Sequence, residues 1–214
     1  MSILLTVVQA VSIPKQKPVE AKFFTKEEIK KIRQCDDVSN VFYLATMIAL
    51  ATGMRASEVL GLRWESYDEE NLTLKINKTA QRSNSGKLIT GDPKTKASKR
   101  IISISKDLAE LIALQKGNDS EYILSSVKNK DEPVRYSSLK RWYQNHLEKV
   151  GVVYQGFHTL RHTHATMLVR AGLPITDVSA RLGHSKISTT LDIYSHARKD
   201  DKHLVEISKN ILGI

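Results

Sequence analysis

The side chains in this sequence that could do chemistry are mostly basic, and they are joined by one tyrosine. Arg55 follows a segment that ends in glycine, and His158 and Arg161 are three residues apart, which places both on one face at the start of a helix. His184 stands beside a glycine, and Tyr194 follows it in the same stretch. These residue types together indicate a site that binds and attacks an anionic group.

A phosphodiester reaction that uses no metal needs this set of residue types. Its transition state spreads negative charge over oxygens that an arginine can bind through two parallel hydrogen bonds while staying charged. A tyrosine phenol can act as a covalent nucleophile. The leaving sugar oxygen needs a proton, and Lys94, in a polar stretch between two predicted strands, is a candidate to supply it.

Each of these residues also has a structural interpretation when it is taken alone. An arginine after a helix end can pair with a carboxylate, a histidine can cap a helix, and a tyrosine can be half-buried. A zinc site is the other chemical interpretation of the histidines, but an arginine on the same face as His158 would be unfavourable beside a dication. Five histidines are concerned: His158, His162, His164, His184 and His196.

The periodicity of apolar residues predicts an α+β fold, mainly α-helical with a small antiparallel β-sheet. Thr25 and Glu28 form a capping-box pattern, and Gly53 is a predicted helix stop. Strands are predicted over 72–76 and 100–105, and the polar stretch between them is interpreted as loops. Helices are predicted over 26–34, 40–52, from Ser57 onward, and over 107–115, 137–150, 159–171, 174–182 and 188–194, with Pro174 in a first turn.

Composition indicates a polyanionic partner. The 214 residues include 33 Lys and Arg against 23 Asp and Glu, for a net charge of +10 and a pI near 9.6. Nucleic acid is the first candidate and an acidic membrane surface the second. The single cysteine, Cys35, cannot form an internal disulfide, which favours a reducing, cytoplasmic location. No apolar run approaches the roughly 20 residues of a membrane span.

Four segments in this order resemble the conserved boxes of the tyrosine recombinase (phage integrase) family. They are residues 51–62 (ATGMRASEVLGL), 92–100 (DPKTKASKR), 157–166 (FHTLRHTHAT) and 182–194 (LGHSKISTTLDIY). The resemblance implies the fold of that family's catalytic domain, with neither ATP nor a metal or other cofactor. It also implies that Arg55, His158, Arg161 and His184 surround the scissile phosphate, that Lys94 is the general acid, and that Tyr194 forms a 3′-phosphotyrosyl link.

The resemblance further implies how the chain is organised. Residues 1–22 are expected to be the remnant of a core-binding domain with a basic linker, 23–198 the catalytic domain, and 199–214 a tail helix that can be exchanged between protomers. The sequence is therefore expected to be a fragment or a truncated gene product. The implied partners are double-stranded DNA, further copies in a homo-tetramer on DNA (a monomer as an isolated fragment), and accessory DNA-bending or directionality proteins, but no membrane.

The implied function is site-specific DNA recombination, for integration or excision of a phage or another mobile element. Two other functions stay open. One is a DNA-binding remnant of an integrase that no longer cuts, although pure binding does not need a tyrosine at position 194. The other is a type IB topoisomerase-like enzyme, against which His184 and the short chain both argue.

Overall fold

Four helices pack on one central apolar helix, and small antiparallel sheets complete the described part of the chain. The structure, a computed structural model, describes residues 22–83, 85–93, 95–117 and 119–194. The predicted helices are confirmed there, with ends that differ by one or two residues. They are α1 (Lys26–Ile32), α2 (Val41–Thr52), α3 (Ala56–Leu60), α4 (Lys106–Ala113), α5 (Tyr136–Lys149), α6 (Thr159–Arg170), α7 (Ile175–Leu182) and α8 (Ile187–Tyr194).

Helix α2 is the centre of the core because it is apolar on nearly all sides. It packs against α3, α4, α5 and α6. Leu44 and Ile48 are fully buried in it, and the side chain of Thr52 is also buried, donating its hydroxyl to the carbonyl of Ile48 at 2.6 Å. The end of α2 is therefore held rigidly, and the chain leaves it directly into the segment that carries Arg55.

Two of the three predicted helix ends, at Thr25 and at Gly53, have the predicted capping residues, and the third, at Pro174, differs. Thr25 and Glu28 form the predicted reciprocal box, with hydrogen bonds of 3.2 and 2.8 Å. Gly53 ends α2 in the left-handed conformation, at φ +69°. The prediction for Pro174 was wrong by one position, because Pro174 is the N-cap of α7 and not part of its first turn.

The sheet is antiparallel, as predicted, but its strands are shorter than the sequence suggested. β1 (Tyr67–Asp68), β2 (Thr73–Ile76) and β5 (Arg100–Ser103) form three strands in the order β1-β2-β5, with Leu74 opposite Ile102. Leu72 lies outside β2 because its φ is +51°. At the other end, Ser105 is not in β5, because its side chain caps α4.

A second hairpin occupies the polar stretch that was predicted to be loops. β3 (Thr79–Arg82) pairs with β4 (Leu88–Gly91). It is seated on the end of α3 so closely that a Cβ atom on Gly61 would lie 2.7 Å from the Cα atom of Thr79. The prediction of loops was wrong there because tertiary packing, rather than an apolar alternation, holds the hairpin.

Two predicted segments lie outside the described residues. They are the remnant and linker over most of 1–22 and the tail helix within 199–214. Within the described part of the chain, every helix is too short or too polar to cross a membrane.

Candidate active site

Four of the predicted site residues line one cavity of about 620 Å³. Arg55 comes from the start of α3, His158 and Arg161 from the start of α6, and His184 from the segment after α7. Hairpin β3–β4 and the turn around Thr95 form the remaining walls. The structure thus brings together side chains that are up to 129 positions apart in the sequence, since 184 − 55 = 129.

Arg55 is fixed by the carboxylate of Glu58. Arg55 is the N-cap of α3, and its backbone N–H donates to Oε2 of Glu58 at 2.9 Å while its Nη1 donates to Oε1 at 3.0 Å. The side chain is still 37% exposed, whereas that of Glu58 is 2% exposed. Glu58 therefore holds the arginine from below, and the guanidinium faces the cavity.

Glu58 is held by a second arginine, Arg100, at the start of β5. Its Nη2 and Nη1 donate to the two carboxylate oxygens of Glu58 at 3.0 and 3.3 Å. Burial alone would raise the pKa of Glu58, but the hydrogen bonds and charges of Arg100 and Arg55 outweigh it, so the pKa lies below its ordinary value. Glu58 is thus an anion at neutral pH, and it binds the guanidinium groups of both Arg55 and Arg100.

Arg161 is almost completely buried and is anchored on main-chain carbonyls. Its Nη1 donates to the carbonyl of Gly53 at 2.7 Å, and its Nη2 donates to that of Leu182 at 2.9 Å. They are the carbonyl of the residue that caps α2 and the last carbonyl of α7, and helix geometry leaves carbonyls at these ends without partners inside the helix. The guanidinium is therefore set by two helix ends, one before Arg55 and one before His184.

His184 connects the cavity to the helix that ends at Tyr194. Its Nδ1 lies 2.8 Å from Oγ1 of Thr190, which is fully buried on α8. Thr190 is one helical turn before Tyr194. The backbone of Tyr194 is therefore tied to the position of His184 through α8.

The histidines of the site are neutral at pH 7. Partial burial, followed by the proximity of His162, Arg161 and Arg55, lowers the pKa of His158 to about 4. Burial and the charges of neighbouring arginines, Arg161 first, lower the pKa of His184 to about 4. A neutral imidazole can donate one hydrogen bond to a phosphate oxygen and can accept a proton at its other nitrogen.

The other histidines of α6 fall into two environments. His162 lies edge-on to His158, with ring centroids 4.6 Å apart. His164 is on another face, where its Nδ1 is 3.0 Å from the carbonyl of Leu50 and its Nε2 accepts from Nε of Arg181 at 3.1 Å. In the described ranges, no three His, Cys, Asp or Glu side chains come together in a way that could hold a metal ion. His196 lies outside those ranges.

The side chains of Lys94 and Tyr194 lie outside the described part of the chain. Lys94 lies in a gap between the described ranges, directly after Pro93 and before Thr95, both of which line the cavity. Tyr194 is the last residue of α8, and only its backbone is described. Their proposed roles therefore stay predictions.

Sequence reasoning missed Glu58 and Arg100. Glu58 had a local signal, because an acidic residue three positions after an N-cap can reach back to the backbone N–H of that cap. Arg100 had none, because its partner is 42 positions away in the sequence. Glu58 binds Arg55 and Arg100 binds Glu58, so both residues help to position the site, although neither was among the predicted site residues.

Comparison with known proteins identifies relatives over nearly the whole described chain. The model of the phage integrase family matches residues 22–201. A tyrosine recombinase XerC-like protein of Caldanaerobacter subterraneus subsp. tengcongensis is 33% identical, with 83% of this chain and 51% of that protein covered. The ICEBs1 integrase of Bacillus subtilis is 30% identical, with 82% and 50% covered. The chain therefore spans about half the length of these relatives.

The fold is also similar to that of a solved integrase. The structure of the Tn1549 transposon integrase in complex with transposon right end DNA matches with a TM-score of 0.73 at 20% identity. The match covers 94% of this chain and 69% of that chain. It confirms the predicted fold class, mainly α-helical with a small antiparallel sheet.

Proposed function

The chain belongs to the phage integrase family, and from this membership we propose that it is a site-specific DNA recombinase of the tyrosine type. Its proposed substrate is a phosphodiester of double-stranded DNA, which it cleaves and rejoins for integration or excision of a phage or another mobile element. The Tn1549 transposon integrase with the same fold was solved in complex with transposon DNA, which supports this substrate class.

The observation that carries the proposal is the convergence of Arg55, His158, Arg161 and His184 in one cavity. Two arginines and two neutral imidazoles offer fixed donors to the oxygens of a phosphate. Donors that are already in place when negative charge develops are usually the largest catalytic contribution, about 3–4 kcal/mol for one donor. This arrangement suits a pentacovalent phosphorus transition state.

In the proposed reaction, the phenol oxygen of Tyr194 attacks the scissile phosphorus. The phenol proton passes to a base, for which the neutral imidazoles are suited. The bond from phosphorus to the 5′ oxygen breaks, and that oxygen takes a proton from Lys94. The product is a 3′-phosphotyrosyl link and a free 5′ hydroxyl. Attack of a 5′ hydroxyl on this link reverses the steps and rejoins a strand, so the energy of the bond is retained.

The test is covalent trapping on a duplex with a nick next to the cleavage site, so that the short leaving strand diffuses away. The wild-type chain should form an adduct that survives a denaturing gel, and Tyr194→Phe should form none while retaining its affinity for DNA. Tyr154→Phe is the matched control, because Tyr154 is an exposed tyrosine away from the cavity, and this variant should form the normal adduct.

The outcomes distinguish the alternatives. An adduct excludes a remnant that only binds DNA, and strand exchange that requires two paired sites excludes a topoisomerase-like enzyme. An adduct that persists in Tyr194→Phe would assign the nucleophile to another residue.

We also propose that the active assembly is a homo-tetramer on DNA, helped by accessory DNA-bending or directionality proteins. The sequence spacing of Leu204, Ile207 and Ile211 predicts one apolar stripe of a helix, and we propose that a neighbouring protomer covers it. A cyclic exchange of this kind closes into a ring. Deleting residues 203–214 should leave DNA binding intact and change cleavage.

A further inference from the structure

The side chain of Arg100 forms hydrogen bonds with three segments around the cavity, in addition to the place of its backbone in the sheet. It is the first residue of β5, its side chain is 8% exposed, and it carries no part of the proposed chemistry. All three of its guanidinium nitrogens donate hydrogen bonds. Nε donates to the carbonyl of Arg181 at 2.6 Å, Nη1 to the carbonyl of Ser98 at 3.0 Å, and both Nη1 and Nη2 to the carboxylate of Glu58.

These bonds connect three separate segments that each carry or adjoin a proposed catalytic residue. Glu58 holds Arg55. Ser98 closes the turn that follows Lys94, since its backbone N–H donates to the carbonyl of Thr95 at 3.0 Å. Arg181 is near the end of α7, three residues before His184. One guanidinium therefore fixes the relative positions of three walls of the cavity.

The packing around Gly183 shows how close this connection is. A Cβ atom on Gly183 would lie 2.9 Å from Nη1 of Arg100 and 2.9 Å from the carbonyl oxygen of Ala97. The segment that leads to His184 thus lies directly on the guanidinium and on the turn before Ser98. A shift of Arg100 would be transmitted to both.

Building on the proposed recombinase function, we propose that Arg100 is a positioning residue that holds Arg55 through Glu58 and, independently, holds the turn after Lys94. The planar fork of an arginine is required, because a lysine has one nitrogen and cannot reach Glu58, Ser98 and Arg181 together. This role differs in one respect from that of an arginine that only forms a structural ion pair. Arg100 should affect the protonation of the leaving group as well as the binding of the phosphate.

The experiment compares Arg100→Lys with the wild-type chain on two nicked substrates, under single-turnover conditions. One is normal DNA, and the other has a sulfur in place of the bridging 5′ oxygen, which leaves without help from an acid. On normal DNA we expect a loss of about 100-fold, the size of effect that a misplacement near 1 Å produces. On the sulfur substrate we expect a loss of only about tenfold, because the acid is not needed there.

Two further variants separate the two connections. Glu58→Gln weakens the bonds that both Arg55 and Arg100 make to residue 58, but Arg100 keeps its bonds to Ser98 and Arg181, so the turn after Lys94 stays held and both substrates should slow by the same factor. Arg63→Lys is the control, since Arg63 also pairs with a carboxylate, Glu121, but lies away from the cavity. Its rates should stay within about twofold of wild type on both substrates, because the contacts of Arg63 with Glu121 and Tyr122 lie away from the cavity.

Equal losses on the two substrates in Arg100→Lys, or no loss on normal DNA, would overturn the proposal. If Arg100→Lys does not fold, as judged by thermal unfolding, Arg100→Gln replaces it in the same comparison of the two substrates. Unequal losses or unchanged rates in Glu58→Gln contradict the proposed path from Arg100 through Glu58 to Arg55. A wild-type chain that forms no adduct with either substrate contradicts the recombinase function itself, which distinguishes that failure from a failure of Arg100 alone.

Discussion

Individual cationic and imidazole side chains of this site are held by main-chain carbonyls at helix ends. The carbonyls of Leu50, Ala51 and Gly53, at the end of α2, accept from His164, Arg181 and Arg161 respectively. The end of a helix carries a partial negative charge and carbonyls without partners in the helix. Arg161, for which a catalytic role is proposed, is thus part of a set of donors at the end of α2.

His164 makes the closure of α2 sensitive to pH. Burial, followed by the charge of Arg181, lowers its pKa to about 4, against 6.5 for an unperturbed histidine. Protonation would place a second N–H opposite Nε of Arg181, where Nε2 now accepts. Because the folded pKa is below the unfolded one, the contribution of His164 to stability is complete above pH 6.5 and declines as the pH falls toward 4.

We therefore predict that His164→Gln weakens the pH dependence of folding. A glutamine can donate to Leu50 and accept from Arg181 without taking up a proton. The free energy of unfolding in urea should fall less between pH 7.5 and 5.0 in the variant than in the wild-type chain. Equal falls in the two proteins would show that His164 is not an essential titrating group of this end of α2.

Among the secondary-structure elements, the helices were predictable because their signals are local. The capping box at Thr25, the stop at Gly53 and the apolar periodicity of α2 all lie within a few residues of the elements they define. Hairpin β3–β4 was not predictable, because Ala80 is buried on α3 without an apolar alternation around it. The same reason hid the pair of Glu58 and Arg100, which exists only once β5 and α3 have come together.

Two glycines with nearly the same backbone conformation isolate the effect of packing between elements. Gly53 has φ +69° and Gly151 has φ +67°. A Cβ atom on Gly53 would lie 2.6 Å from Cδ2 of Leu182 and 2.8 Å from Cδ2 of His164, whereas at Gly151 it would meet nothing within 4 Å. Gly53 is therefore the point where the end of α2 touches α6 and α7.

Replacing each glycine with alanine should separate strain from packing. Gly151→Ala should lower the free energy of unfolding by about 1–2 kcal/mol, the cost of a left-handed residue with a Cβ atom. Gly53→Ala should cost a further 1–3 kcal/mol, roughly, because Leu182 and His164 must move. Urea denaturation at pH 7.5 measures both. Equal losses of unfolding free energy in the two variants would mean that Leu182 and His164 can move aside without destabilising the fold.

As a whole molecule, the chain combines a core of ordinary apolar composition with a strong excess of positive charge. Its net charge of +10 suits a polyanion, and the cavity lined by Arg55 and Arg161 is the proposed binding site of the scissile phosphate. Lys78, paired with Asp92 at 3.1 Å, lies beside that cavity, and Lys116, paired with Glu69 at 2.6 Å, lies away from it. These two lysines can be compared because each forms an exposed ion pair with a carboxylate, with the difference that Asp92 also accepts from Lys99 at 2.6 Å.

We predict that DNA binding is steeply dependent on salt and that, of these two lysines, only Lys78 contributes to it. With about four phosphate contacts, the association constant should fall by about 100-fold between 50 and 200 mM salt, because neutralised phosphates release condensed counterions.

Fluorescence anisotropy with Tyr194→Phe and a labelled duplex measures this binding without covalent trapping. In that background, Lys78→Gln should reduce the slope of log K against log salt by about 0.9, the value for one phosphate contact. Lys116→Gln should leave the slope unchanged. A slope near zero would rule out phosphate contacts as the main source of affinity, and equal changes in the two variants would mean that DNA does not pass over the cavity.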